Sequence, residues 1–337
     1  MAPENSRPFE LVVHRQPETR GKVAVFGIVR NERYLLPHFL EHYRRLGVRD
    51  FWLHDDMSDD GTFEYLLAQP DCGVTRSNLR FGDMFDDKVF GHRVKTIIPR
   101  KLLMGRWVAT LDADEFMLLP PGFDTLAQLA GAMERNGLAV ARALMMDFFP
   151  ETLRSLRTAP MEASPFELNP YFDPWKVLVW PDQMPNVTKI SVTDGVRPRM
   201  LKELLRRGAF GENMKGYRYA NLNKSPLAFW SADMHSLGAH RMSVLPSDKL
   251  QLVLAHFKFY PGHEARTEEA VREGVHWNGA SEYHLLQAAN ELLMDWPLQG
   301  PVTQRFTGKD MLVKAGLLYS RLEQGPEQGR EQEPPQA

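Results

Sequence analysis

The first 120 residues are organised in blocks of apolar and polar positions. KVAVFGIV (Lys22 to Val29) is a near-continuous apolar run of strand length, the pattern of a strand covered on both faces. In the RNERYLLPHFLEHYRRLGV that follows, Leu35, Leu36, Phe39, Leu40, Tyr43 and Leu46 recur at helical spacing, with Gly47 as a C-terminal stop. Pro37 fits a helix only in its first turn, which puts the start near Tyr34. DFWLHDD predicts a second strand, MSDDGT a turn, FEYLLAQ a helix and GVTRSN a third strand. HRVKTIIPRKLLMG reads as helix interrupted at Pro99, and RWVATLD as a fourth strand. Ahead of these, residues 1–21 form a polar leader in which Phe9 to Val13 can pair as a short edge strand.

Strands alternating with helices predict an α/β fold built on an open, mixed, mostly parallel sheet flanked by helices. Ligands of such sheets bind beyond the carboxyl ends of the strands. The GIVRNE turn ends the first strand, Asp55–Asp56 the second, and Asp112-Ala113-Asp114-Glu115 the fourth, so the three converge on one edge. Residues 22–150 then form a ligand-binding half. Periodicity weakens after residue 150, and residues 151–322 read as a loop-rich second half packed on the same sheet. Met311 to Leu322 is expected to be a short helix closing the core, with peripheral membrane contact as its alternative use. The tail, residues 323–337, is almost devoid of apolar side chains and is expected to be disordered.

Composition narrows the classes. A net charge of −2 lacks the basic footprint of a nucleic-acid-binding protein, so no nucleic-acid partner is expected. Cys72 is the only cysteine, which excludes an intrachain disulfide and a thiolate-built zinc site. The opening residues lack a signal-peptide core and no apolar run is long enough to span a membrane, so a cytoplasmic location is expected. The first strand is not followed by G-x-G-x-x-G, and neither a phosphate-binding G-x-x-x-x-G-K-[ST] nor a G-x-S-x-G elbow occurs.

WVATLDADEF (Trp107 to Phe116) puts three carboxylates in four residues directly after a buried run. Like charges this close repel unless something positive sits among them. On an extended strand Asp112 and Asp114 would share one face, about 6.6 Å apart. A hard divalent cation, Mn²⁺ or Mg²⁺, takes oxygen ligands of this kind and bridges them to phosphate.

Together, GIVRNERYLLPHFLEHYRRLGVRDFWLHDDMSDDGT and WVATLDADEF resemble the nucleotide-sugar-binding half of family 2-type glycosyltransferases of the GT-A fold. The branch resembled carries RNE…LPxFLxHYRxLG and DxDEF motifs, and the likeness covers roughly residues 22 to 120. Further on only LAHFKFY resembles the family, as a late histidine motif. The resemblance implies that Asp55 reads the base of the donor, typically uracil, and that Asp56, Ser58 and Asp60 shape the pocket beside it. It implies that Asn31 and Glu32 lie near the nucleotide, and that Asp112, Asp114 and His256 hold the metal. Met57 stands where the family often has Asn or Gly. Of the basic residues Arg93, Lys95, Arg100 and Lys101, Arg93 is taken as a diphosphate contact, against the alternative of a solvated basic face.

Transfer to an acceptor also needs a base for the acceptor hydroxyl. Glu115, Asp233 and Glu282 form the shortlist, although Glu115 can equally turn away and cap a helix. Trp230 and Trp277 can line an acceptor cleft or fill the core. His235 and His240 lack the i, i+4 spacing of a helical zinc pair. The expectation is therefore a metal-dependent glycosyltransferase that moves a sugar from a nucleotide-sugar donor, UDP-linked by resemblance, to a glycan or small-molecule acceptor with inversion. A non-catalytic sugar- or nucleotide-binding module and a metal-dependent nucleotidyl or phosphoryl transferase are the alternatives.

Overall fold

The computed structural model describes residues 8–86, 88–174, 195–209, 222–238, 240–274 and 277–323, with short pieces at 177–179, 190–192, 211 and 214. Apart from Glu323, the tail expected to be disordered lies outside the described residues, as does the side chain of Trp277. The chain opens with β1 (Leu11–Arg15), β2 (Val23–Val29), α1 (Leu35–Arg45), β3 (Phe51–Asp55), α2 (Thr62–Leu67) and β4 (Cys72–Ser77). A short β5 (Met84–Phe85) and β6 (Lys88–Val89) lead into α3 (Phe90–Leu102), β7 (Trp107–Thr110), β8 (Glu115–Leu118), α4 (Leu126–Arg135) and β9 (Val140–Phe149). Then come α5 (Arg154–Arg157), α6 (Pro165–Leu168), β10 (Tyr171–Phe172), β11 (Val177–Val179), β12 (Ile190–Val192), α7 (Val196–Arg206) and β13 (Asn223–Phe229). The last elements are β14 (Leu250–His256), α8 (His263–Glu273), α9 (Trp277–Leu292), β15 (Gln304–Arg305), α10 (Asp310–Lys314) and β16 (Tyr319–Ser320).

One mixed sheet organises these elements, in the order β1-β4-β3-β2-β7-β13-β9-β10-β15, with β14 beside β9 and both β8 and β16 on β14. Its parallel block is β4, β3, β2 and β7. The apolar runs explain that block: β2 and β3 are buried almost throughout, as a sheet covered on both faces requires. Antiparallel β1 closes the edge on β4, as the Phe9–Val13 pattern predicts to within two residues. On the other side β13 pairs antiparallel with β7 and β9, and β14 runs parallel to β9. The later strands thus enter the sheet begun by the first half.

α1 lays Leu35, Leu36, Phe39, Leu40 and Tyr43 into the core. Each such side chain contributes roughly 1.5–3 kcal/mol of burial. Gly47 then adopts φ 81°, the left-handed conformation that ends the helix. At Gly27 a Cβ would sit 2.8 Å from the Leu111 carbonyl oxygen, so β2 admits the Leu111 backbone only because glycine stands there. That close approach fixes where Asp112 begins.

Two expectations need correction. Pro99 does not interrupt its helix: α3 runs three residues beyond it, and the Pro99 carbonyl accepts the Leu103 N–H at 2.7 Å to close the last turn. Met311 to Leu322 is not one helix: α10 stops at Lys314, Gly316 takes φ 69°, and Tyr319–Ser320 becomes a strand on β14. Leu312, Leu317, Leu318 and Leu322 all face the core, so core closure is the job this segment performs. No helix among the described residues is long and apolar enough to cross a membrane.

Candidate functional site

The ends of β2, β3 and the β7–β8 turn meet as the sheet topology requires. The β2–α1 and β3–α2 turns are stitched together by backbone N–H groups. Asn31 donates to the Ser58 hydroxyl at 3.0 Å, Glu32 to the Thr62 hydroxyl at 3.0 Å and Arg33 to Asp60 at 3.0 Å. In return the Asp59 N–H donates to the Asn31 side chain at 3.0 Å. Ser58 and Asp60 therefore act through backbone geometry, holding two loops in register. Asn31 (φ 55°) and Met57 (φ 60°) take the left-handed conformation. Asparagine tolerates it well; methionine does so at a cost of order 1–3 kcal/mol.

Asp55 is buried at the end of β3. Its Oδ2 accepts from Arg76 at 2.7 Å and from the Ser58 N–H at 3.2 Å, while its buried Oδ1 has no partner among the described residues. A buried carboxylate oxygen left unpaired is costly, and its natural complement is an N–H. Asp56, also buried, accepts from the Phe81 N–H at 2.8 Å. Burial lifts its carboxyl to about 6 against the pull of that bond and of Arg30. Glu32 Oε2 is likewise buried without a partner among the described residues. Burial raises that carboxyl to about 8, with Arg266 and Lys258 opposing and Asp114 and Asp112 adding to the rise.

The acidic turn is surrounded by lysines. Asp112 accepts from Lys95 at 2.7 Å on Oδ1 and from Lys224 at 3.2 Å on Oδ2. Asp114 Oδ2 accepts from Lys258 at 2.9 Å and lies 3.5 Å from His256 Nε2. Glu115, 1% exposed, has both oxygens 2.5 Å from Lys224 and also receives the Asp112 N–H at 3.0 Å. Burial pushes the Asp112 carboxyl up, but Lys224 and Lys95 outweigh it and hold it well below the ordinary range. Lys258 and His256 do the same for Asp114. Glu115 goes the other way: burial, Asp112 and Asp114 raise it against Lys224.

Strand register extends the cluster. β8, β14 and β9 lie side by side with Glu115, His256 and Asp147 in one row. His256 Nδ1 is 2.7 Å from Asp147, Asp147 is held by Arg197 at 2.6 and 3.0 Å, and Arg197 reaches Glu282 at 2.8 Å. Burial disfavours the imidazolium, yet Asp114 and Asp147 raise His256 to about 8. Burial acts to raise Glu282, but Arg197, Lys258 and His256 hold it below the ordinary range.

The other expected residues fall elsewhere. Arg93 points to Asp86, whose carbonyl it reaches at 3.3 Å; Lys95, two residues on and facing inward, is the cation that meets the turn. Arg100 bonds the Met234 and Ala232 carbonyls. Asp233 is exposed, following a strand whose end, Phe229, pairs with Trp107 at the start of β7. That places it near the edge opposite Asp112, since β13 runs antiparallel. Trp230 is fully buried core. Lys224, Lys258, Asp147 and Arg197 carry no role in the sequence expectation. Three of them had a usable signal: a lone charge inside an apolar strand-like run (LMMDFF, LNKSPLAF, AHFKFY) must find a partner in the interior.

The donor set does not match the Mn²⁺ or Mg²⁺ that the resemblance implies. Among the described residues no group of three or more His, Cys, Asp and Glu side chains is arranged to hold a metal. Both Asp112 oxygens and one Asp114 oxygen already carry ammonium groups within about 3 Å, which repel a second cation at those atoms.

No family model matches the chain, and no curated protein sequence matches it. Among solved structures, S. aureus TarS aligns with 37% of this chain at 17% identity and a TM-score of 0.27, and the aligned part spans 21% of TarS. The mannosyltransferase PcManGT of Pyrobaculum calidifontis, in complex with GDP-Man and Mn²⁺, aligns over 92% of this chain and 83% of its own, at 16% identity and a TM-score of 0.29. A UDP-glucose pyrophosphorylase complexed with UDP-glucose covers 80% of this chain and 87% of its own, at 8% identity and a TM-score of 0.26. Scores this low carry no argument about activity, and the α/β assignment stands on the sheet itself.

Proposed function

We propose that this chain is a glycosyltransferase that binds a nucleotide-sugar donor, UDP-linked, along the carboxyl edge of β2, β3 and β7. One observation carries the reading: a buried acceptor unpaired among the described residues, Asp55 Oδ1, sits on the same sheet edge as a carboxylate turn studded with ammonium groups. The imide N–H of uracil is the kind of donor that Asp55 Oδ1 lacks. The family resemblance of residues 22–120 supports the same assignment, with Asn31, Glu32 and Asp56 around the nucleotide.

In the reaction, the acceptor hydroxyl oxygen attacks the anomeric carbon and the bond from that carbon to the diphosphate oxygen breaks, inverting the centre. The hydroxyl proton passes to a base, and the nucleoside diphosphate departs with the bonding pair. Lys95 and Lys258 stabilise the charge that develops on the leaving group. Of the three shortlisted bases, Glu115 is locked on Lys224 and Asp233 lies near the opposite edge. Glu282 remains: its side chain is 27% exposed, it is held ionised by Arg197, and it adjoins the His256–Asp147 pair. Residues 151–322 contribute this acceptor side.

Calorimetry of UDP with the wild-type protein and with Asp55→Ala tests the assignment. The expected result is binding that weakens by a factor of about ten or more in the variant, the scale of one charged hydrogen bond. Equal binding by both proteins refutes the base-reading role. Release of UDP from a UDP-sugar identifies a glycosyltransferase, whereas UMP with pyrophosphate identifies a nucleotidyl transferase and binding without turnover a binding module.

A further inference from the structure

We infer that the cation at the acidic turn is built into the chain: Lys95 and Lys258 together hold the donor diphosphate in the place a divalent metal would take. The inference rests on the nucleotide-sugar reading above and assigns the chemistry of its phosphate subsite. Three lysines reach the turn from three separate elements, Lys95 from α3, Lys224 from β13 and Lys258 from the segment after β14. Their convergence is a property of the fold, since each is buried or nearly so, with side-chain exposures of 8%, 2% and 20%. A buried ammonium is expensive unless paired, and each of these is paired to the turn.

Their hydrogen bonds divide the work. An ammonium has three N–H donors. Lys224 directs its donors at Asp112 and both oxygens of Glu115, so it is structural. Among the described residues Lys95 makes one such bond, to Asp112, and Lys258 one, to Asp114. These two flank the turn at either end and keep donors for oxygens of a bound diphosphate. Each then bridges an aspartate and a phosphate, which is the service a coordinated Mg²⁺ or Mn²⁺ performs with its carboxylate and phosphate ligands. Lys95 also lines a small pocket that it shares with Lys224, Ser225, Ser236 and Arg241.

The test is titration calorimetry of UDP and GDP against the full chain, once with EDTA and once with Mn²⁺ in its place, on wild type, Lys95→Gln and Lys258→Gln. The expected result is that Kd in EDTA stays within about twofold of Kd in Mn²⁺, and that each variant binds about tenfold more weakly in both. Circular dichroism establishes that each variant is folded. The wild-type comparison does not depend on them, and Lys95→Arg, which keeps the charge, should recover part of the loss. Binding that appears only with Mn²⁺ and is abolished by EDTA overturns the inference and leaves the glycosyltransferase reading standing. Failure of the folded wild type to bind either nucleotide in both conditions overturns the inference and that reading together.

Discussion

Replacing Lys224 with methionine removes the ammonium but keeps the length of the side chain, and isolates what holds the acidic turn together. Lys224 is 3% exposed and Glu115 1%, so the variant leaves a carboxylate in the interior with one Oε1 unpaired. Breaking a buried pair from one side costs about 3–5 kcal/mol. Glu115 has an escape, however: it can take up a proton. Protonating a carboxyl of ordinary pKa, about 4.3, at pH 7 costs roughly 3.7 kcal/mol, which caps the loss near that figure. Asp112 adds little, because its side chain is 40% exposed and Lys95 remains on it.

The cap makes the loss pH-dependent with a definite sign. In the variant the folded protein binds a proton at Glu115 that the unfolded chain has released, so stability falls as pH rises above about 4.3, by roughly 1.4 kcal/mol per unit. Urea unfolding followed by tryptophan fluorescence at pH 5.5 and pH 7.5 should show the deficit relative to wild type grow with pH, by at most about 2.7 kcal/mol, because the raised Glu115 carboxyl of the wild type carries part of the same slope. Adding Glu115→Gln keeps an acceptor for the Asp112 N–H and should abolish the pH dependence. A deficit under about 1 kcal/mol, or one equal at both pH values, would refute the claim that Lys224 offsets the burial of the Glu115 carboxylate.

Glu32 makes a complementary prediction. Its folded value, about 8, exceeds the unfolded one, so wild-type stability declines as pH climbs from about 4.3 to 8. Glu32→Gln is exempt, and its advantage should widen across that window to a few kcal/mol before flattening; a difference that stays constant from pH 5 to 8 refutes it. Arg93→Ala should leave nucleotide affinity within about twofold of wild type, because Arg93 addresses Asp86. A tenfold loss in calorimetry would put Arg93 back at the diphosphate.

Much of the parallel block was legible because its information is local. The unbroken apolar run of β2, the 3.6-residue stripe of α1 and the acids that end β3 and β7 are all contained within a few residues of themselves. The carboxylates of the site were legible for the same reason. Their counter-charges were not: Lys224 is 109 positions from Glu115, Lys258 144 from Asp114 and Asp147 109 from His256. Periodicity says which face a residue takes, never which distant charge will meet it. Repulsion at Asp112-Ala113-Asp114-Glu115 correctly demanded positive charge, but the choice between metal and lysine is made by three elements that the decapeptide does not contain. Glu115 to Leu118 was missed as a strand because its edge partner, β14, arrives so late.

That lateness has a consequence in time. The hydrogen-bonded partner of β8 is β14, and His256 follows Leu118 by 138 positions. At about 5–20 residues per second of synthesis, the Glu115–Leu118 segment therefore waits roughly 7 to 28 s before its ladder can close. Over that interval Phe116 and Met117, fully interior in the finished protein, lie on an unsatisfied strand edge beside a cluster of acids. Asp112 and Asp114 flank that edge with like charge, and like charges oppose the pairing of two such edges with each other. Lys224 emerges 26 positions before β14 begins and Lys258 two after it ends, so the counter-charges of the turn bracket the strand that closes the edge.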